Sequence, residues 1–258
     1  MKRYYKFVLL ICLLPFLYKF CERQTDGFRV ARILTSSSGT QIGVTPQELP
    51  TLLGQKFYYL ASGGQAWVFV SEDQQYVLKF FKTYKRKAKS SRDFASCQLA
   101  YDKLKEECGL LYLHLHATSH LNLSVTLVDK LHIEHPIALD QTAFLVQKKA
   151  VLLYDHIEQT MRAGNLEGAK QALSAACQLI RTRSEKGIFD EDARIHCNLG
   201  FIGAKAILID TGRLKEDARR KEPAVMQKDL KKITHKLKLW LELHYPELVP
   251  HLEQETLL

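Results

Sequence analysis

Gly187-Ile188-Phe189-Asp190-Glu191-Asp192-Ala193-Arg194-Ile195-His196-Cys197-Asn198, followed shortly by Ile207-Leu208-Ile209-Asp210-Thr211-Gly212, is the stretch on which the fold turns. Between the two lie Leu199 to Ile202 and Ala206 to Ile209, short apolar runs joined through Gly203, which read as a β-hairpin. A hairpin returns the chain to its starting point, so Asn198 before it and Asp210 after it come to the same open end. An amide oxygen and a carboxylate brought together in this way form a set of hard oxygen donors. Asp190 and Asp192 stand just upstream.

Upstream, Phe57 to Leu60, Trp67 to Val70 and Tyr76 to Phe81 are aromatic and β-branched runs separated by turn residues, and they predict three antiparallel strands. Ala61-Ser62-Gly63-Gly64-Gln65-Ala66-Trp67-Val68 joins the first two strands. Lys79 follows in Val77-Leu78-Lys79, eleven residues beyond Val68. Val77, Lys79 and Phe81 alternate onto one face of the strand, and a lysine aimed between large apolar neighbours needs an anionic partner. Apolar residues recurring at Phe94, Cys97, Tyr101, Leu104, Cys108, Leu111 and Leu115 predict one long amphipathic helix. Glu107 lies on that stripe and Glu106 beside it, which makes Glu107 the candidate partner of Lys79. Val125 to Val128 and Ala143 to Val146 read as two further strands. Val151 to Arg183 reads as two helices broken at Gly164-Asn165, and Leu230 to Leu243 as a terminal helix.

Together these elements resemble the protein-kinase superfamily in a divergent, small form. The glycine loop keeps the middle glycine of the G-x-G-x-x-G-x-V frame, Lys79 stands at the strand-lysine position, and Asn198 and Asp210-Thr211-Gly212 follow the order of the catalytic loop and the D-F-G element. The resemblance implies an α+β fold of two lobes. The expected segments are a hydrophobic signal or anchor over 1–23, a linker over 24–50, an N-lobe of five strands and a long helix over 51–149, and a small helical C-lobe over 150–258. It implies ATP and Mg²⁺ as cofactors, with Gly63, Gly64 and Val68 over the nucleotide and Lys79 and Glu107 on its phosphates. Asn198 and Asp210 would sit on the metal and Asp192 would be the catalytic base.

Three departures bear on activity. The base is expected five residues before the asparagine, where Ala193 stands, so Asp192 serves only if the loop carries one extra residue. Thr211 replaces the D-F-G phenylalanine and removes the apolar side chain that couples this element to the helix. Only 48 residues follow Asp210, with no A-P-E, which argues against a conventional protein-substrate platform. The expected function is therefore a kinase-like phosphotransferase acting on a small or envelope-associated acceptor. Lipopolysaccharide-core sugar kinases are a related class by analogy. The alternative is a pseudokinase serving as a binding or scaffold module.

The N-terminus adds a location. Lys2, Arg3 and Lys6 precede an apolar run from Phe7 to Tyr18, and the residues after it offer no small-residue cleavage site. An uncleaved signal-anchor or short single-pass membrane segment is expected, with the side of the domain open. The chain has 258 residues, 46% of them hydrophobic, and a net charge of +9, enough for a large core and an attraction to anions. The basic runs Lys82 to Arg92 and Lys228 to Lys238 read first as solvated faces, with an anionic membrane surface as the functional alternative. No nucleic-acid module is recognisable. Six cysteines without metal-like spacing read as reduced thiols, and the histidines at 114, 116, 120, 132 and 135 lack the spacing of a zinc site.

Overall fold

The structure, a computed structural model, describes residues 2–36, 47–83, 87–192 and 194–257, without the side chains of 2–12 and 87–90. The chain divides into two compact units, residues 1–85 with 114–146 and residues 86–113 with 147–258. The linker segment 37–46, the basic residues 84–86 and Ala193 lie outside the described residues.

The first unit is built on a twisted sheet. Strands β1 (Lys56–Ser62), β2 (Ala66–Ser71) and β3 (Tyr76–Phe81) form the expected meander, with Tyr58 opposite Val70 and Val68 opposite Lys79. A break in register between Tyr59 and Ala61 bulges the end of β1 towards the glycine loop. β4 (Leu110–His114) straddles the division between the units, with His114 in the first. β5 (Ser124–Val128) runs parallel to β1 and pairs antiparallel with β6 (Glu134–Ala138). β7 (Phe144–Lys148) lies beside β3, which gives the order β7-β3-β2-β1-β5-β6. Phe57, Phe69, Leu78, Phe80, Leu127 and Phe144 are fully buried and make the core.

Residues 25–36, read from sequence as part of a linker, are pinned to this sheet. The Leu34 N–H donates to the Phe81 carbonyl at 2.8 Å and the Ala143 N–H to the Leu34 carbonyl at 3.0 Å. Phe28 is buried with its ring edge-on to Trp67 and Phe69. Helix α1 (Lys2–Gln24) precedes this segment and exposes Leu13, Leu14, Phe16, Leu17 and Phe20 to solvent. Among the described residues no helix is long and apolar enough to cross a membrane, so the expected single span is not found there. A short α2 (Leu49–Leu53) buries Leu49 and Leu53.

The second unit opens with a correction. The single long helix expected from Phe94 to Leu115 is instead α3 (Lys87–Lys103), a short α4 (Lys105–Cys108) and the strand β4. Gly109 stops the helix at φ +59, and the Ile202 and Ile207 side chains would press on any Cβ there, at 3.3 and 3.4 Å. Beyond it, Leu110, Tyr112, Leu113 and His114 are buried and Leu111 half-buried, a near-continuous run that suits a strand rather than one face of a helix. Residues 86–113, expected within the N-lobe span, group with the second unit. The buried Gln147 helps to hold them there, its Nε2 donating to the Cys108 carbonyl at 2.5 Å and the Leu208 carbonyl at 3.1 Å.

Downstream, β8 (Val151–Leu152) leads into α5 (Leu153–Arg162) and α6 (Leu166–Glu185), broken at Gly164 as the sequence predicts. Asn165 caps α6 by accepting from the Gly168 N–H at 2.8 Å. Ala169, Ala172, Leu173, Ala176, Cys177 and Ile180 form the buried stripe of α6. β9 (Ile188–Asp190) and α7 (Ile195–Asn198) precede the hairpin of β10 (Leu199–Ile202) and β11 (Lys205–Leu208), which turns at Gly203 with φ +59. β12 (Leu214–Glu216) pairs with β9, and α8 (Pro223–His244) and α9 (Val249–Glu255) close the chain. Cys21, Cys97, Cys108, Cys177 and Cys197 are free thiols.

Candidate functional site

The candidate residues fall in both units. In the first, the β1–β2 turn is closed by the Gly63 N–H donating to the Ala66 carbonyl at 2.9 Å. Neither Gly63 nor Gly64 has a positive φ. A Cβ built on Gly64 would meet nothing within 4 Å, and one on Gly63 only the Ala66 carbonyl at 3.6 Å. Turn geometry therefore does not demand glycine here. Val68 on β2 is opposite Lys79 on β3, and both are half-buried beside the buried Val77 and Phe81.

Sequence reasoning missed Lys82. Its Nζ donates to Ser62 Oγ at 2.7 Å and to the Gly63 carbonyl at 2.6 Å, and it sits 4.8 Å from the Trp67 ring centroid. The ammonium thus bridges the base of the glycine turn and covers the indole. The available signal was the hairpin register, which pairs Phe81 with Ala66 and so carries the next residue to the turn.

In the second unit the hairpin does what the sequence predicts. The Ile209 N–H donates to the Asn198 carbonyl at 2.8 Å, which extends the ladder by one rung and leaves Asn198 and Asp210 at one end. Asn198 is buried, and its Nδ2 donates to the main-chain carbonyl of Asp192 at 2.6 Å. That bond fixes the amide orientation and turns Oδ1 away, where the Cys197 thiol donates to it at 3.2 Å. Asp210 Oδ1 accepts from the Gly212 N–H at 3.0 Å, an Asx turn that holds the carboxylate in place. Asn198 Oδ1 and the remaining Asp210 oxygen suit Mg²⁺, which takes one or two protein oxygens and completes its shell with phosphate and water. Among the described residues no group of three His, Cys, Asp or Glu side chains is arranged around a metal, so these two donors would depend on a phosphate ligand.

Asp192 is strongly engaged. Arg194 donates through Nε to Oδ1 at 2.6 Å and through Nη2 to Oδ2 at 2.8 Å, and Arg213 approaches Oδ2 at 3.8 Å. The Arg194 hydrogen bonds hold the Asp192 carboxyl below its usual value. Asp190, buried next to the buried Arg183 at 3.6 Å, is pushed in the opposite direction, chiefly by burial. Its Oδ1 accepts from the Asp192 N–H at 2.8 Å, so Asp190 shapes the loop from inside while Asp192 faces out of it.

Thr211, expected to uncouple the D-x-G element from the helix, is coupled to α3 by polar contacts. Ser96 Oγ donates to the Thr211 carbonyl at 2.6 Å and accepts from the Leu214 N–H at 2.5 Å, and Cys97 Sγ lies 3.5 Å from Thr211 Oγ1. A small hydroxyl on α3 takes the place of an apolar plug. Glu107, on α4, pairs through Oε1 with Lys186, while its buried Oε2 has no hydrogen-bond partner among the described residues. Of the histidines, His114 is buried and its Nδ1 lies 2.8 Å from the Thr142 carbonyl, and His135 pairs with Asp129 at 2.9 Å.

No family model and no curated protein matches the chain. Among solved structures it is similar to WbdD bound to the kinase inhibitor LY294002, at 14% identity and a TM-score of 0.40, covering 76% of this chain and 45% of that one. It is similar to the ROP18 kinase domain in complex with AMP-PNP and sucrose, at 17% identity and a TM-score of 0.37, covering 61% and 51%. A further WbdD structure, described as a bifunctional kinase-methyltransferase, matches at 16% identity and a TM-score of 0.36, covering 74% and 42%. The chain thus spans about half or less of the length of these structures.

Proposed function

We propose that this chain is a kinase-like protein that binds ATP with Mg²⁺ and transfers phosphate to a small or envelope-associated acceptor. One observation carries the reading. The β10–β11 hairpin sets Asn198 and Asp210 at one end while the Asn198 amide ties down the loop bearing Asp192, so two oxygen donors and a carboxylate belong to one constellation. When bound, Mg²⁺ supplies charge neutralisation to the transferring phosphate. In this reading Asn198 and Asp210 hold the ion and Lys79 neutralises phosphate oxygens. Gly63 and Gly64 let the backbone approach the nucleotide, with Val68 against its base. Glu107, whose Oε1 is held by Lys186, has no phosphate contact in this reading, and Asp192 accepts the acceptor's hydroxyl proton. The test is the melting temperature of the full chain with Mg-ATP, which rises with ligand concentration if the native state binds it. An unchanged melting curve at millimolar Mg-ATP overturns the reading.

A second reading, a pseudokinase acting as a binding module, is favoured by one specific observation. Asp192 is closed off by Arg194 on both oxygens, which makes it a poor base as it stands. Asp192→Asn separates the two, since a base contributes about 10² to 10⁴ in rate and a structural aspartate nothing.

The five exposed apolar residues of α1, with Lys19 among them and Arg23 after them, support association of that helix with a membrane.

A further inference from the structure

Helix α8 presents two faces of opposite character. Leu230, Thr234, Leu237 and Leu241 are buried, at the three- and four-residue spacing of a core stripe. On the opposite side Lys228, Lys232 and Lys236 are exposed, with Lys231 exposed on the flank, and Leu239 and Leu243 continue the same face at 51% and 78% exposure. The face runs about 22 Å along the helix from Lys228 to Leu243.

Among the described residues, its charges are not neutralised by neighbouring carboxylates. Lys56, Lys103, Lys130, Lys170, Lys186 and Lys215 each hold a carboxylate. None of the four lysines on this face has an ion pair among the described residues. The acidic groups of α8 are committed elsewhere, Asp229 to Arg220 and Glu242 to Lys238. A run of unneutralised ammonium groups complements a polyanion, and the two leucines decide which kind. Exposed leucine beside lysine on one helical face gains by entering an acyl-chain boundary and gains nothing against a phosphodiester backbone.

We infer that the exposed face of α8 is a second membrane-docking surface, in which Lys228, Lys231, Lys232 and Lys236 bind anionic lipid headgroups and Leu239 and Leu243 enter the interface. It shares with the reading of α1 only the need for a bilayer, and it requires no nucleotide.

The test is co-sedimentation of the full chain with vesicles of phosphatidylcholine alone and of phosphatidylcholine with phosphatidylserine. The neutral vesicles report apolar partition, and the part of the phosphatidylserine gain that is lost when the α8 lysines are replaced reports this face, as distinct from the basic residues of α1 and of the Lys82 to Arg92 run. Replacing the four lysines by glutamine should cut that gain by at least tenfold, at about fivefold per lysine near the surface, and leave partition onto neutral vesicles unchanged. Leu239→Ser with Leu243→Ser should weaken anionic-vesicle binding severalfold while preserving its salt dependence. All six positions are exposed, so melting curves should match wild type. Single Lys→Gln variants giving a graded loss keep the test valid should the quadruple variant melt early. Equal partition of wild type and lysine variant overturns the inference. So does a lysine variant that keeps vesicle binding and instead loses affinity for duplex RNA.

Discussion

Arg194 grips Asp192 with two nitrogens, Nε on Oδ1 at 2.6 Å and Nη2 on Oδ2 at 2.8 Å, only two residues along the chain. A planar guanidinium engaging both oxygens of a carboxylate lowers its proton affinity and occupies the lone pairs a base would use. Asp192 can act on an acceptor only when that grip opens.

The first prediction follows. Arg194→Gln should raise the Asp192 pKa towards its ordinary value of 3.8, because the largest lowering influence is gone. A lowered carboxylate pKa means that the pair's contribution to stability is present above that ordinary value and lost as pH falls through the lower, folded-state value. Wild type should therefore exceed the variant by up to about 1 kcal/mol near neutrality, as expected of a largely exposed pair, and the two stability curves should converge at the acid end. Carboxyl-carbon NMR titration reads the pKa directly. An unchanged Asp192 titration in the variant would show that Arg194 is not its controlling partner.

The second concerns Asn198. Its Nδ2 donates to the Asp192 carbonyl from a buried position, so Asn198→Asp would set a carboxylate oxygen against a carbonyl oxygen at 2.6 Å. The expected cost is roughly 1–3 kcal/mol or more, the penalty of a buried polar group without its partner. That loss should appear in the melting temperature without metal and be partly recovered by Mg²⁺, to which the added charge is attractive. Asn198→Ala should destabilise similarly but show no recovery. If both variants melt with wild type, the amide is not the tether of the Asp192 loop.

A third test lies on α3. Ser96 is buried and serves two main-chain groups, the Thr211 carbonyl and the Leu214 N–H. Ser96→Ala strands both, at about 1–3 kcal/mol each before relaxation. Differential scanning calorimetry should show a clear fall in melting temperature, and Mg-ATP affinity should fall with it, because Thr211 adjoins Asp210. A variant that melts early but binds Mg-ATP normally once folded would separate the two roles and deny the coupling.

Much of this arrangement was legible because it is local. The hairpin between Asn198 and Asp210 is announced by a turn glycine between two apolar runs, and the break between α5 and α6 by Gly164 and a capping asparagine. The end of α4 was hidden. The apolar spacing continues through Leu111 and Leu115, and only the positive φ of Gly109 and the burial of every side chain from Tyr112 to His114 reveal a strand. The docking of residues 25–36 was also invisible, since Leu34 pairs with Phe81 and Ala143, partners brought near only by the finished sheet. Long flexible cations were hardest to place. Lys82, Lys186 and Arg194 each chose a partner that composition and periodicity leave open.

The last prediction separates two lysines that sequence alone would merge. Lys79 and Lys82 stand three residues apart at the end of β3, and either could bring a positive charge to a phosphate. Lys82 has structural work, donating to Ser62 Oγ and the Gly63 carbonyl at the glycine turn and covering Trp67. Lys79 lies opposite Val68 within the ladder, so its backbone is fixed whatever its side chain does. If Lys79 is the phosphate ligand, Lys79→Met should weaken Mg-ATP binding by about 10- to 100-fold, the worth of one charge-assisted hydrogen bond. Lys82→Met should instead loosen the turn, so that amides from Gly63 to Ala66 exchange faster with solvent hydrogen while nucleotide affinity changes by no more than a few-fold. Isothermal titration with Mg-ATP and hydrogen exchange on the same two variants give both readouts. Were Lys82→Met to abolish binding and Lys79→Met to spare it, the phosphate role would pass to Lys82, and the glycine turn would be organised by the nucleotide's own ligand rather than by a separate brace.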